Sequence, residues 1–283
     1  MKFTSEKDIS LLDLVKAKMG FVSNTKARNV IKAGQIMVSG KVVKIPSTVI
    51  KPGTEVELVK RVKSKRVLKE EPILKHRILF EDENILAVDK RTGLIGKSSN
   101  GNLRTLFTDV QYYLKGKGID TCLMVNKVDK KESGIVVFAK ELGLYKELSD
   151  NWKNYTKRHY VVIPGGMVDE KGNLEDTFHE NDIGLLLPGK GKKTMEVSLD
   201  YRVMKTNGQF TVIRVEEKSS HKNQIRAMFS LLKNPILGDD KYRSEYKYEK
   251  GMAAHFFSIK FPYNDDELEI KTPIPKPFLK LAR

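Results

Sequence analysis

A chain of 283 residues is about twice the ~150 residues of a typical domain and long enough to bury a real core, which excludes fibrous and wholly disordered proteins. Its hydrophobic content of 40%, with 10 Pro and 20 Gly scattered along the chain, is that of a protein that folds in water. The 52 Lys and Arg exceed the 36 Asp and Glu by a formal charge of +16, so a polyanion, nucleic acid first, is the expected partner; the plainer alternative is a lysine-rich surface kept for solubility. A single cysteine, Cys122, can form no intramolecular disulfide and no cysteine-based zinc site, which fits a reducing compartment or indifference to redox. No run approaches the ~18 to 20 apolar residues of a membrane helix, and Glu6 and Asp8 stand where a targeting segment is usually free of acids. The expectation is a cytoplasmic protein with no membrane contact.

Leu11, Leu12, Val15 and Met19, then Ala27, Val30 and Ile31, recur at three- and four-residue spacings and predict two short amphipathic helices over residues 9–19 and 25–33. Gly20 ends the first, and Ser23 or Asn24 caps the second. Lys26, Arg28 and Lys32 fall away from the apolar stripe and make a basic helical face, a candidate RNA-binding surface. Residues 35–38 and 41–43 flank Ser39-Gly40 as a hairpin, and residues 49–59 add strand around Pro52-Gly53.

The run Lys60-Arg61-Val62-Lys63-Ser64-Lys65-Arg66 has no apolar period, and Glu70-Glu71-Pro72 closes it. Residues 1–60 are therefore read as one small α+β domain, 61–76 as a charged linker and 77–283 as a second domain. Strands are expected at Ile85-Leu86-Ala87-Val88, at Gly134 to Phe138, at His159 to Ile163 and at Phe210 to Val215. Residues 141–152, with Leu144, Leu148 and Trp152 at period four, and residues 222–233 are expected helices. Strands outnumber helices, so the larger domain is expected to be α+β with a mainly antiparallel mixed sheet.

No Gly-rich phosphate loop, nucleophile elbow or metal-spaced His/Cys cluster is present. Asp129 lies in a turn entering an apolar strand, where a carboxylate acts either as a nucleophile or acid/base group or simply caps the turn; the pattern alone favours the cap. Arg226 opens a helix, where an arginine either anchors a carboxylate or is merely solvated.

Asn126-Lys127-Val128-Asp129 with Ser133-Gly134 and Phe138-Ala139-Lys140 resembles the H-R-L-D-x-x-T-S-G-L-L-L-F-A-K signature of the RluA-type RNA pseudouridine synthases. Further matches follow in order: Glu81 through Lys90 and Gly93-Leu94 to the opening strand and loop, Arg158-His159-Tyr160 with Gly166 to a K-x-Y segment, and Asn223-Gln224-Ile225-Arg226 to H-Q-I-R. Pro235-Ile236-Leu237-Gly238-Asp239-Asp240-Lys241-Tyr242 is similar to P-I-x-G-D-x-x-Y, and Ala254-His255 and Thr272-Pro273-Ile274-Pro275 to the closing segment. The first sixty residues resemble the ribosomal protein S-four type RNA-binding domain in Ser23-Asn24-Thr25-Lys26-Ala27, Ile31, Gly34 and Val38-Ser39-Gly40.

The resemblance implies isomerisation of uridine in RNA: the base is detached at N1, turned and rejoined through C5, with no cofactor and no metal. It implies Asp129 as the catalytic aspartate, acting at ribose C1′ or as an acid/base group, Arg226 as its partner, and Tyr160 as the residue that packs on the target uracil and assists proton transfer at C5. Asn126, Lys127, Asn223, Gln224 and Ile225 are the implied RNA-contacting positions. The implied partner is RNA, ribosomal ahead of transfer RNA, and the starting expectation is a monomer. Asn126, Lys127 and Glu132 stand where the family has His, Arg and Thr, Arg91 stands for Pro, and His221, Asn223 and Met228 stand for Arg, His and His. Lys127 has no planar guanidinium to stack in the space left by a flipped base. The alternative reading is an RNA-binding protein of the same fold with a degenerate pocket. The enzyme reading requires that Asp129 and Arg226, 97 residues apart, meet within hydrogen-bonding distance.

Overall fold

A computed structural model describes residues 2–20, 23–59, 74–98, 104–167 and 169–283. The chain divides into two compact units, Met1–Val67 and Leu68–Arg283. Most of the stretch expected as a charged linker, residues 61–73, lies outside the described residues. Its last residue already belongs to the larger unit, because His76 is buried with Nε2 3.0 Å from Asp109 Oδ2.

The N-terminal unit runs β1 (Lys2–Thr4), β2 (Ile9–Ser10), α1 (Leu11–Lys18), α2 (Asn24–Lys32), β3 (Ile36–Val38), β4 (Lys41–Val42), β5 (Val49–Ile50) and β6 (Glu55–Leu58). Ser10 caps α1 by accepting from Asp13 N, and Ser23 caps α2 by accepting from Thr25 N, each supplying one of the free N–H groups of a first turn. Leu11, Leu14 and Val15 from α1 meet Ala27 and Ile31 from α2 in one core, with Leu12 and Met19 at its edge. Lys26, Arg28 and Lys32 are exposed on the other side of α2. Ser39 and Gly40 both take positive φ, as a two-residue hairpin turn requires. The strand expected over residues 49–59 is two strands, since the Pro52-Gly53 turn sends β5 to pair with β2 and β6 to pair with β1 and β3.

The larger unit contains β7 (Arg77–Glu81), β8 (Ile85–Lys90), α3 (Leu106–Gly116), β9 (Leu123–Met124), β10 (Ser133–Ala139), α4 (Leu142–Asp150), β11 (Thr156–Pro164), β12 (Lys171–Glu180), β13 (Leu186–Pro188), β14 (Thr194–Thr206), β15 (Phe210–Glu217), α5 (Gln224–Leu231), β16 (Ala254–Tyr263), β17 (Asp266–Lys271) and α6 (Lys276–Leu281). One sheet runs β13-β12-β14-β15-β11-β16-β10-β8-β7, with β17 on β16 and β9 on β10. Among the described residues the β10–β16 pairing is parallel and the others are antiparallel, giving the mainly antiparallel α+β domain expected.

Two apolar cores divide this unit. One packs α3 and α4 on β8 and β10 through Leu106, Val110, Leu114, Leu144 and Leu148; the other packs α5 and α6 on β11, β14 and β15 through Ile225, Met228, Phe229 and Phe278. They meet where β10 and β16 pair over two residues, Ser133 with His255 and Gly134 with Phe256. Gly134 has φ +127°, and a Cβ there would sit 2.3 Å from the Phe256 carbonyl oxygen. Only glycine permits this approach of two backbones. Replacing it, Gly134→Ala, is expected to cost about 3 kcal/mol or more, through both the disfavoured φ and the collision with backbone that cannot give way. Urea unfolding followed by near-UV circular dichroism checks this; an unchanged midpoint would contradict it.

Candidate active site

A cavity of about 610 Å³ opens where the loop entering β10, the first half of β11, the end of β15 and the start of α5 converge over β16. Val128 and Phe256 from one core and Val161, Ile225 and Ile236 from the other form its apolar walls. Asp129, Glu132, His159, Glu217 and Arg226 are set among them, together with Lys127, Lys157, Lys222, His221 and His255.

Asp129 begins a tight turn in which Glu132 N donates to the Asp129 carbonyl at 3.1 Å, immediately before Ser133 enters β10. The turn is fixed from beneath by Lys90, which is fully buried at the end of β8. Its ammonium donates to the carbonyls of Glu132 at 2.6 Å, Leu94 at 3.1 Å and Arg91 at 3.2 Å. Burial brings the Lys90 pKa down to about 8, with the carboxylates of Glu132, Asp129 and Asp89 opposing that fall. Burial likewise raises the Glu132 pKa, and the neighbouring Asp129 charge adds to the rise.

Arg226 approaches from α5. Its Nε and Nη2 donate to the two oxygens of Asp239 at 2.6 and 2.5 Å, a forked pair in which Asp239 is itself buried. Burial works against the guanidinium charge, but the Asp239 carboxylate outweighs it and the Arg226 pKa is raised. With the fork occupied, Nη1 remains for Asp129 Oδ2 at 3.4 Å and Asn223 Oδ1 at 3.4 Å. The two residues that the sequence pairs across 97 positions thus meet in one cavity. Asp129 Oδ1 has no hydrogen-bond partner among the described residues, and the side chain is half-exposed. Asp239 is the functional residue for which the sequence carried no role, although it lies inside the quoted P-I-x-G-D-x-x-Y match. Tyr242 of the same segment lays its ring 5.3 Å from the guanidinium carbon.

The implied RNA-contacting residues separate on inspection. Lys127 is exposed at the cavity edge, and Ile225 forms part of its wall. Asn126 also borders the cavity, but its amide is engaged with β10: Nδ2 donates to Ile135 O at 3.0 Å and Oδ1 accepts from Val137 N at 2.8 Å. Gln224 is buried and holds the loop before α5, accepting from Ser219 Oγ and His221 N and donating to Ser219 O. Neither amide is therefore the free RNA contact the sequence suggested. Asn223 takes φ +64° at the start of α5 and keeps a buried Nδ2 without a partner beside the cavity. Lys26, Arg28 and Lys32 stand on α2 of the other unit.

Tyr160 is misplaced by the sequence reading. Side chains alternate along β11, so Lys157, His159 and Val161 line the cavity while Tyr160 does not; its ring stacks on Phe257 at 3.9 Å within the α5/α6 core. The K-x-Y spacing is met one residue earlier by Lys157-Arg158-His159, with histidine in place of tyrosine. The His159 ring stacks on Phe256 at 4.8 Å and 20°, and its Nε2 lies 2.7 Å from Glu217 Oε1. That approach is off the axis of a ring N–H, a close charge contact rather than an aligned hydrogen bond.

Comparison with known proteins gives this geometry a context. Residues 84–231 match the family model described as RNA pseudouridylate synthase, and residues 11–56 match the S4 domain. The chain is 26% identical to an uncharacterised RNA pseudouridine synthase of Aquifex aeolicus over 86% of this chain and 79% of that protein. It is 22% identical to the ribosomal large subunit pseudouridine synthase D of Pasteurella multocida over 92% of this chain and 86% of that one. The solved structure of human RNA pseudouridylate synthase domain containing 1 superposes with a TM-score of 0.61 at 16% identity, covering 76% of this chain and 89% of the other. That likeness is one of fold.

His255 beneath the cavity supplies a test of this packing. It is buried, its Nδ1 is 2.8 Å from Ser133 Oγ, and burial, reinforced by nearby His159, lowers its pKa to about 4. Between pH 6.5 and about 4 the unfolded chain binds a proton here that the folded chain does not, so stability falls as pH falls through that window. The loss is expected to reach up to about 3 kcal/mol and to be absent in His255→Asn, as read by thermal melts of both proteins from pH 7 to pH 4.

Proposed function

The chain belongs to the RNA pseudouridylate synthase family, and from that membership we propose that it converts uridine to pseudouridine in ribosomal RNA, in the cavity that holds Asp129 and Arg226. As a member it is an RNA pseudouridine synthase, an isomerase whose product has the atoms of its substrate. The observation that carries the assignment of the site is the contact of Asp129 with an arginine already fixed by Asp239, inside a cavity with apolar walls. Support for ribosomal RNA comes from the relatives named as large-subunit enzymes and from the S4 domain that precedes the catalytic unit.

In this reading Arg226 fixes one oxygen of Asp129, and the free Oδ1 faces the ribose. A carboxylate oriented in this way acts at the sugar while the bond from C1′ to N1 breaks and the base turns. The uridine reaches the cavity by leaving the RNA stack, at a cost of a few kcal/mol. Apolar contact with Val161, Ile225 and Ile236 and the charge of Lys127 at the edge offset that cost. The basic face of α2 contributes affinity for phosphates without reading sequence. The enzyme is proposed to work in the cytoplasm as a monomer. The competing reading, an RNA-binding protein with an inactive cavity, has no contact in the site to favour it.

Asp129→Asn is expected to abolish pseudouridine formation while RNA affinity stays within a few-fold, because charge and volume elsewhere are unchanged. Purified protein incubated with total RNA from a strain lacking the gene, followed by carbodiimide-stop mapping, reads the activity and names the substrate. Sites made equally by Asp129→Asn would remove Asp129 from the chemistry. Deleting residues 1–60 is expected to weaken RNA binding and to reduce the slope of log affinity against log salt by about 2, since the three cations of α2 are lost. Filter binding at several salt concentrations measures this, and an unchanged slope would place the phosphate contacts elsewhere.

A further inference from the structure

Away from the cavity, the sheet carries a row of like charges that strand pairing by itself disfavours. Lys171 of β12 lies directly opposite Arg202 of β14, and Arg202 lies directly opposite Arg214 of β15. Residues paired in this way share a face of the sheet, where like charges repel one another and weaken the pairing. Along β14, Val197, Leu199 and Tyr201 turn into the core, so Arg202 turns outward. Arg214 lies opposite Tyr160, on the face of β11 turned away from the cavity. The row is therefore on the far side of the sheet from the cavity.

Nothing among the described residues answers these charges. The side chains of Lys171, Arg202 and Arg214 make no ion pair or hydrogen bond there, and Lys171 and Arg202 are exposed while Arg214 is half-buried. Two acids share their hollow of about 370 Å³, and both are already met. Asp200 has Lys218 and Asn173 at 3.0 Å, and Glu216 has Arg158 and Lys218 at 2.7 Å. Asp169 and Glu170, just before Lys171, border the neighbouring hollow and form no pair with the row.

The chemistry of the row selects its partner. The backbone of β14 is spent in the ladders to β12 and β15, so recognition falls to charge and to the forked donors of two arginines, which suit phosphate. Strands about 4.8 Å apart spread the three cations over about 10 Å. A single small anion spans two of them at most, whereas a phosphodiester strand presents successive anions along such a line. We propose that Lys171, Arg202 and Arg214 hold the phosphodiester backbone of an RNA segment other than the one that carries the target uridine. The assignment rests on the function proposed above and extends it: the substrate is a folded RNA large enough to reach both faces of the sheet. Its phosphates relieve the repulsion across β12, β14 and β15 and release counterions as they bind.

The test pairs RNA affinity with fold stability. Large-subunit ribosomal RNA and a short uridine-containing stem-loop are bound in filter assays at several salt concentrations by the wild-type chain, by the double variant Arg202→Gln with Arg214→Gln, and by Arg202→Glu. The double variant is expected to bind ribosomal RNA about tenfold more weakly at low salt, with the slope of log affinity against log salt reduced by about 1.5. It is expected to bind the stem-loop as the wild type does. Arg202→Glu sets a carboxylate between Lys171 and Arg214, so its melting temperature is expected to equal or exceed that of the wild type while its affinity for ribosomal RNA falls. That combination separates loss of an RNA contact from loss of fold. Unchanged affinity and slope in both variants would overturn the proposal and leave the row to an acidic protein. An equal loss on the stem-loop would overturn it too, since the row would then serve the target segment itself, and so would a melting temperature well below the wild type's in both variants, the mark of a structural row. Failure of the wild-type chain to form pseudouridine in any RNA would instead overturn the function proposed above, and the binding outcomes would still be read.

Discussion

A guanidinium taken out of water is costly unless its charge and its hydrogen-bond donors are met, and the larger unit is organised around one such group. Arg226 is met by Asp239 through two parallel bonds, and Asp239 also accepts from the backbone N–H groups of Lys241 and Tyr242. One buried carboxylate therefore fixes the start of α5 and the loop that follows it. Tyr242 extends the reach of this cluster, because its hydroxyl accepts from Leu186 N in β13. The guanidinium is left with one donor edge facing the cavity, and that edge defines where Asp129 must be.

The other side of the site is set by backbone geometry rather than charge. Lys90 gathers three carbonyls beneath the Asp129 turn, and Gly134 lets β10 approach β16 more closely than any side chain would allow. The same contact brings the two cores together, so the cavity occurs at the seam where neither core covers the sheet. Catalytic chemistry placed there has rigid strands behind it on both sides, which suits a reaction that must hold a detached base while it turns.

Much of the site was legible because its parts are local. The turn before β10 showed itself in Asp129 and Ser133-Gly134 ahead of an unbroken apolar strand, and the resemblance then joined it to Arg226 in a distant helix. Asp239 lies within the P-I-x-G-D-x-x-Y match but carries no sign of its partner, since an acid after a glycine reads equally well as a turn residue. Tyr160 shows a different limit. Two adjacent positions both fit an aromatic signature, and which of them faces the cavity depends on the phase of β11, which puts Lys157, His159 and Val161 on the cavity side and would be reversed by a slip of one residue. Asn126 and Gln224 resemble RNA contacts in the sequence because polar side chains in a motif carry no label for what they bond; in the fold Asn126 bonds the backbone of β10 and Gln224 bonds Ser219 and the backbone of the loop before α5.

The amino-acid sequence by itself determined the strongly positive charge, the helix–helix–hairpin order of the first unit and the strands of the central sheet, because each is written in composition or short periodicities, while Asp129 and Arg226 stood out only through the resemblance of contiguous motifs. Only the tertiary structure decided that Asp239 holds Arg226 and that His159 rather than Tyr160 enters the cavity. It also decided that Glu217, 58 residues after His159, stands behind that ring. Those facts depend on strand phase and on contacts between segments far apart in the chain, quantities that packing fixes and that no local pattern of residues records.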